Sequence, residues 1–273
     1  MPLPDVVLGD AEAARDLKRE LPGGRSLGYD LFGSPDAPLL ALFLHGAGVG
    51  RGSLEHYARH AASLGAFCMT VDRSSLISGG SLREIWVDRN VRSAQERVVA
   101  EAVDHAQWLL AQARHQAPRL VMVAHSAGGA IALEAAVALQ AAGRAVAGLL
   151  LFDAVPWPDT CAVAARLDLG STFLVSVRAE PSAWNKHGFI GSALERLPAG
   201  QLVDVKVRNA AHGDPLEPSL VLRLAGLLGA GAGAMVCILD AFVRRFLGGA
   251  SEESLLTSLL QQLERDALIE RMS

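Results

Sequence analysis

The feature that most constrains this chain is the alternation of short apolar runs with longer helical stretches. Most of the runs are almost continuously apolar, which is typical of strands buried on both faces of a parallel sheet. Strands that alternate with helices form right-handed βαβ units, so the sequence predicts an α/β fold with a mostly parallel, doubly wound sheet flanked by helices. The predicted strands are Ser26–Leu31 (an antiparallel lead-in), Leu39–Leu44, Phe67–Val71, Leu120–Ala124, Val146–Phe152, Phe173–Val177 and Leu202–Val207, and the predicted helices are Ser53–Leu64, Val91–Gln116 and Ala127–Ala142.

The length of 273 residues and the hydrophobic fraction of 51% suit one large α/β domain. We predict that residues 1–250 form this domain and that residues 251–273 form an amphipathic C-terminal helix appended to it. Packing on its own domain is one interpretation of the helix's apolar face, and a homodimer contact is the other. The apolar face consists of Leu255, Leu256, Leu259, Leu260 and Leu263.

Charge and composition exclude several classes of partner. A net charge of −4 gives no excess of basic residues that would bind the phosphates of a nucleic acid. The apolar stretch Leu224–Leu239 is shorter than the roughly 20 residues that a bilayer span needs. Three cysteines without a CxxC pattern predict neither a disulfide framework nor a metal site, and the N-terminus lacks the pattern of a signal peptide. We therefore expect a cytoplasmic protein without a membrane span, metal or organic cofactor.

The strongest motif is Ala124-His125-Ser126-Ala127-Gly128-Gly129, between a buried strand and an alanine-rich helix. A serine in a sharp strand-to-helix turn needs small neighbours, because its own backbone is strained and other backbone segments approach closely. The turn would raise the Ser126 hydroxyl above the sheet, and the N–H of Ala127 would face a developing oxyanion. This pattern predicts that Ser126 is a nucleophile.

A second motif, His45-Gly46-Ala47-Gly48, follows the strand Leu39–Leu44. Its glycines would let the loop approach the serine, so that the N–H of Ala47 completes an oxyanion hole with that of Ala127. We expect His45 itself to be a structural hydrogen-bonding group. With both motifs, residues 26–247 resemble the α/β-hydrolase superfamily of serine hydrolases.

The resemblance implies a catalytic histidine on the loop after the last strand of the sheet. His212, within Asn209-Ala210-Ala211-His212-Gly213-Asp214, holds that position after Leu202–Val207. The other seven histidines are less well placed: four lie on predicted helices or their ends, His125 lies inside the serine turn, and His45 and His187 lie in loops. We therefore predict that His212 is the general base.

The acid of a Ser-His-Asp triad has two candidates. Glu180 follows the strand that carries the acid most often in the superfamily. However, the stretch around it, Arg178-Ala179-Glu180-Pro181-Ser182, resembles a loop of bacterial cutinase-like and polyester-degrading hydrolases. In that loop the catalytic aspartate stands at the position that Ser182 occupies here. Phe152-Asp153-Ala154-Val155 resembles the segment in which chlorophyllases carry their acid, one strand earlier. We predict Asp153 as the acid and retain Glu180 as the alternative.

Other residues on the same face predict a substrate pocket. Trp157 and Trp184 would line an apolar cleft, or alternatively pack within their loops. The segment Arg73–Asn90 contains Gly79-Gly80, which would be the hinge of a flap or part of an inert loop. The expected activity is hydrolysis of a small carboxylic ester through an acyl-enzyme. The alternatives are a thioesterase acting on acyl-carrier-protein or CoA thioesters, a cofactor-free perhydrolase or haloperoxidase, and an inactive ligand-binding protein of the same fold.

Overall fold

A computed structural model of the chain describes residues 13–21, 24–73, 91–157, 159–188, 190–195, 197, 202–217, 228–248 and 250–272. In this part of the chain the strands form one nine-stranded sheet of order β1-β2-β4-β3-β5-β6-β7-β8-β9. The strands are β1 (Ala13–Leu21), β2 (Arg25–Phe32), β3 (Leu39–Leu44), β4 (Ala66–Val71), β5 (Arg119–His125), β6 (Gly148–Phe152), β7 (Phe173–Arg178), β8 (Leu202–Val207) and β9 (Ile269–Arg271).

Strands β3 to β8 are parallel, while β1, β2 and β9 pair with antiparallel neighbours. Strands β3, β4 and β6 are buried along their whole length, as expected for strands covered on both faces. The mostly parallel, doubly wound sheet predicted from the sequence is therefore confirmed, and so is the antiparallel lead-in strand before it.

Helices cover both faces of the sheet and bury a hydrophobic core on each side. One core includes residues of α2 to α5, and the other includes residues of α1, α6 and α7. The helices are α1 (Glu55–Ser63), α2 (Val91–Gln112), α3 (Ala127–Ala141), α4 (Thr160–Ala164), α5 (Ile190–Leu194), α6 (Ala232–Leu247) and α7 (Ala250–Arg265). No helix in the described ranges is long and apolar enough to cross a membrane.

The C-terminal segment differs from the uninterrupted helix predicted for residues 251–273. An extra helix, α7, is present, but it ends at Arg265. Ala267 then adopts a positive φ of 57°, and the N–H of Leu268 donates to the carbonyl of Leu263 at 2.8 Å. This turn reverses the chain, so that β9 pairs antiparallel with β8 and extends the sheet beyond the predicted last strand.

Most of the apolar face of α7 is covered by its own chain. Leu256, Leu260 and Leu263 are buried in the same core as α6, whereas Leu255 is exposed. The division of the chain at residue 250 and a homodimer contact through this helix stay predictions. Residues 74–90, with the predicted Gly79-Gly80 hinge, lie outside the described residues.

Candidate active site

Three polar residues follow the carboxyl ends of three parallel strands of the sheet. Ser126 follows β5, Asp153 follows β6, and His212 lies on the loop after β8. The carboxyl ends of parallel strands share one edge of a sheet, where ligands bind in open α/β folds. The topology therefore brings together three residues that are up to 86 positions apart in the chain.

The Ser126 backbone is held in a conformation that serine rarely adopts. Its φ and ψ are 57° and −128°. Three backbone hydrogen bonds fix the turn: the N–H of Ser126 donates to the carbonyl of Phe152 at 3.1 Å, and its own carbonyl accepts from the N–H groups of Gly129 and Val155, both at 2.9 Å. A methyl group on Gly128 would lie 2.2 Å from the carbonyl oxygen of Leu44, so only glycine fits beside the serine.

The three side chains form a continuous hydrogen-bonded chain. Ser126 Oγ lies 3.0 Å from His212 Nε2, and His212 Nδ1 lies 2.6 Å from Asp153 Oδ2. All three residues are buried, and Asp153 is only 1% exposed. Since a carboxylate only accepts, His212 Nδ1 carries the proton and Nε2 presents its lone pair to the hydroxyl. This arrangement can remove a proton from Ser126.

The Asp153 carboxylate is saturated with donors. Its Oδ1 accepts from the N–H of Ala179 at 2.9 Å and from Asn185 Nδ2 at 3.1 Å, and its Oδ2 accepts from Asn185 at 3.0 Å and from His212. Hydrogen bonds to the charged form stabilise a buried carboxylate. The environment therefore fixes which oxygen of Asp153 faces the imidazole.

Asn185 is a residue of this site that sequence reasoning missed. It is fully buried, and its Nδ2 also donates to the carbonyl of Glu180. Its Oδ1 accepts from the N–H groups of Ser182 at 2.8 Å and Gly188 at 3.1 Å. An asparagine in a polar loop has no distinctive spacing. Its role follows from a contact between loops 32 residues apart.

Glu180 does not join the hydrogen-bonded chain in the described structure. Its backbone N–H donates to the carbonyl of Ala210, while its carboxylate accepts from the N–H of Asn209 at 3.4 Å and lies 3.8 Å from Lys206 Nζ. The side chain is 45% exposed. These contacts place Glu180 at the rim of the loop that carries His212, with Asp153 against the imidazole.

The loop that follows β3 lies against Ser126. The register of β3 and β5 pairs Leu44 with Ala124, and a methyl group on Gly46 would come within 2.8 Å of Ser126 Cβ. Ala127 is the first residue of α3, so its N–H has no partner within the helix. The loop therefore approaches Ser126 at Gly46, and the oxyanion hole formed by the N–H groups of Ala47 and Ala127 stays a prediction.

His45 hydrogen-bonds within its own loop. Its Nδ1 lies 2.8 Å from the carbonyl oxygen of Gly46 and donates to it. Burial, and then the charge of Arg73, lowers the pKa of His45 to about 4, so the ring is neutral near pH 7. The contact stabilises the loop next to Ser126.

Asp214 anchors the loop that carries His212. It is buried, and its Oδ2 accepts from the N–H of Ala211 at 3.1 Å and from that of Gly231 at 2.7 Å, while its Oδ1 accepts from the N–H of Gly229. The carboxylate thus ties the histidine loop to the start of α6. Its importance was not visible in the sequence, because its partners are backbone groups up to 17 residues away.

The two tryptophans predicted to line a pocket have different surroundings. Trp157 is 7% exposed and belongs to the core on the side of α2 to α5, and its backbone N–H donates to Thr160 Oγ1 at 2.7 Å. Trp184 is 55% exposed, in the turn that contains Asn185. Their contribution to a substrate pocket stays a prediction.

Comparisons with known proteins agree with this architecture. The family model described as "Alpha/beta hydrolase family" matches residues 41–266. A solved esterase from Pyrobaculum calidifontis is 16% identical, with a TM-score of 0.61 over 88% of this chain and 87% of that one. A dienelactone hydrolase from Anabaena variabilis is 18% identical, with a TM-score of 0.57 over 80% of this chain and 95% of that one. No curated protein matches the sequence at a significant level.

Proposed function

Because the chain belongs to the alpha/beta hydrolase family, we propose that it is a serine hydrolase that cleaves a carboxylic ester through an acyl-enzyme. The observation that carries the proposal is the buried chain from Ser126 Oγ through His212 to Asp153, with contacts of 3.0 and 2.6 Å. A nucleophile, a base within hydrogen-bond distance and a third group that orients the base are the elements of covalent acyl transfer.

In the acylation step, Ser126 Oγ attacks the ester carbonyl carbon while His212 Nε2 takes the hydroxyl proton. The carbonyl oxygen becomes an oxyanion that accepts hydrogen bonds from the N–H groups of Ala47 and Ala127, each of which lowers the barrier by about 3 kcal/mol. The tetrahedral intermediate collapses as His212 gives its proton to the leaving alkoxide. An alcohol departs and an acyl-serine remains.

In the deacylation step, a water molecule gives a proton to His212 Nε2 and attacks the acyl carbonyl through the same oxyanion geometry. Collapse of the second intermediate returns the proton to Ser126 and releases the carboxylic acid. Throughout both steps Asp153 keeps the proton of His212 on Nδ1 and stabilises the imidazolium, without being protonated itself. The bonds from Ala179 and Asn185 hold that carboxylate in place.

The proposal is tested by labelling with a fluorophosphonate probe together with turnover of p-nitrophenyl esters of graded chain length. The wild type should be labelled at one residue, and Ser126→Ala should lose both labelling and turnover. Ser182→Ala is a matched control, because Ser182 lies on a nearby loop and has a buried hydroxyl. It should retain both. Labelling that survives in Ser126→Ala would overturn the proposal.

The same reaction applied to a sulfur leaving group would make the protein a thioesterase. Matched oxygen esters and thioesters with the same acyl chain separate the two activities, because only the leaving group differs. We expect a higher kcat/KM for the oxygen ester. A preference for the thioester would retain the acyl-enzyme and change the substrate class.

A further inference from the structure

A second histidine contacts the proposed base from within the serine turn. His125 is the last residue of β5 and is 2% exposed, and its Nε2 lies 2.7 Å from the backbone carbonyl oxygen of His212. Because a carbonyl only accepts, Nε2 carries the proton and donates it to this bond. The bond joins the strand that positions the nucleophile to the backbone of the base.

The ring of His125 also fills the space between two functional loops. Its centroid lies 4.8 Å from that of His212, with 40° between the ring planes. On the other side, a methyl group on Gly46 would lie 3.1 Å from His125 Nδ1. His125 therefore packs against the base and against the loop that would supply one oxyanion donor.

His125 is neutral near pH 7. Burial, and then the charge of His212, lowers its pKa to about 3. Its Nδ1 is enclosed and has no hydrogen-bond partner among the residues that the structure describes. With the proton on Nε2, the only hydrogen bond that the ring makes in the described part of the chain is the one to the His212 carbonyl.

We propose that His125 is a positioning residue that holds the backbone of His212, so that His212 Nε2 stays within hydrogen-bond distance of Ser126 Oγ. The inference rests on the proposed function, because His125 acts on the reaction only through His212. A displacement of about 1 Å in a reacting group can cost about 10²-fold in rate. Loss of the His125 donor should therefore lower the rate of acylation and leave substrate binding unchanged.

Three variants separate the donor from the packing of the ring. His125→Gln places an amide N–H close to the position of the imidazole Nε2, whereas His125→Asn carries the same amide on a side chain that is one methylene shorter. His125→Leu fills part of the space without any donor. His105→Leu is the control for removing a buried histidine, since His105 is 1% exposed and lies on α2, next to Arg19.

The measurement is the single-turnover rate of acylation by a p-nitrophenyl ester, expressed per active site titrated with the fluorophosphonate probe. We expect His125→Leu and His125→Asn to lose about 10- to 100-fold in this rate with little change in KM, and His125→Gln to retain most of it. Because the rate is divided by the number of titrated sites, misfolded protein does not lower it. A merely structural role of His125 would therefore leave this rate unchanged.

The inference is overturned if His125→Leu acylates at the wild-type rate per titrated site, or if His125→Gln is as slow as His125→Asn. If His125→Leu does not fold, the comparison of Gln with Asn decides alone, because both variants keep an amide. The proposed function fails separately, through labelling that survives in Ser126→Ala. Labelling confined to Ser126 with unimpaired His125 variants would refute only the positioning role.

Discussion

The substitution Asp153→Asn tests the acid most directly, because it exchanges one oxygen for an NH₂ group and leaves the shape of the side chain unchanged. The amide has two orientations in the buried site. Its nitrogen faces either the backbone N–H of Ala179 or Nδ1 of His212, the groups that contact Oδ1 and Oδ2 of the native carboxylate. The two orientations differ in stability and in chemistry.

With its nitrogen toward Ala179, the amide would leave the buried N–H of Ala179 without an acceptor, which costs about 1–3 kcal/mol. Asn185 Nδ2 contacts both oxygens of the native carboxylate, so it does not distinguish the two orientations. With its nitrogen toward His212, the amide keeps the Ala179 bond but needs an acceptor at Nδ1. The imidazole then carries its proton on Nε2 and donates to Ser126, so it cannot remove the hydroxyl proton. The structure therefore favours the inactive tautomer.

The expected fall in kcat combines two contributions, the preference for the inactive orientation and the loss of the negative charge. A preference of about 1–3 kcal/mol for the inactive orientation lowers the active fraction about 5- to 150-fold. Loss of the negative charge beside the imidazolium accounts for about another 10²-fold, since a triad Asp→Asn change typically lowers kcat about 10⁴-fold in total. We expect kcat to fall by about 10³- to 10⁴-fold, or about 4–5.5 kcal/mol of barrier.

The assay is kcat for a p-nitrophenyl ester, with thermal unfolding as a check that the variant is folded. Glu180→Gln is the matched control, because it makes the same chemical change in the alternative acid, whose side chain is about half exposed. It should stay within about threefold of the wild-type kcat, as most surface substitutions have small effects. The reasoning is refuted if Asp153→Asn keeps a kcat close to that of the wild type, or if Glu180→Gln is the slower variant.

Other predictions address the base, the loops and stability. His212→Ala should lower kcat by several orders of magnitude in the same ester assay, because an unassisted hydroxyl is a weak nucleophile near pH 7. Asp214→Ala leaves three backbone N–H groups without an acceptor, one of them buried, so the free energy of unfolding in urea should fall by about 3 kcal/mol, while Asp214→Asn should be milder. Gly128→Ala should give little folded protein by circular dichroism, because the added methyl group would meet the carbonyl oxygen of Leu44 at 2.2 Å. Burial, and then the charge of Arg19, lowers the pKa of His105 from 6.5 to about 4 in the folded state, so the unfolded chain takes up the proton first as the pH falls. Stability is therefore lost below pH 6.5, by about 1 kcal/mol between pH 7 and 5.5, and His105→Gln should show a weaker pH dependence of its urea midpoint.

The strands of the central sheet were predictable because each is a short, almost continuously apolar run between loop residues, and such a run is too short for a buried helix. The two edge strands were not. The sequence of β1, AARDLKREL, is rich in charged residues, and its strand conformation depends on pairing with β2. Strand β9 continues a helical pattern without a break. The helix ends at Arg265, and the chain then turns at Ala267 in a positive-φ conformation for which alanine gives no signal.

The candidate site was predictable to the extent that its residues directly follow strands. Ser126 and His212 were named from position and flanking residues, while Asp153 and Glu180 remained alternatives because both end strands on the same edge. What distinguishes the two carboxylates is the contact of Asp153 with the imidazole of His212, which only the folded structure shows. The parts of the site that escaped prediction, Asn185 and Asp214, act through hydrogen bonds between loops, which no local periodicity records.

The backbone conformation of Ser126 lowers the thermal stability of the fold at the position where the proposed activity needs a serine. A φ of 57° with a ψ of −128° suits glycine and costs a serine about 1–3 kcal/mol. Ser126→Gly would therefore raise the melting temperature while destroying the proposed nucleophile. A library screened only for thermal survival would accumulate inactive proteins at this position, in keeping with the general trade-off between stability and function. Engineering of this protein for robustness has to select for turnover and survival in the same round.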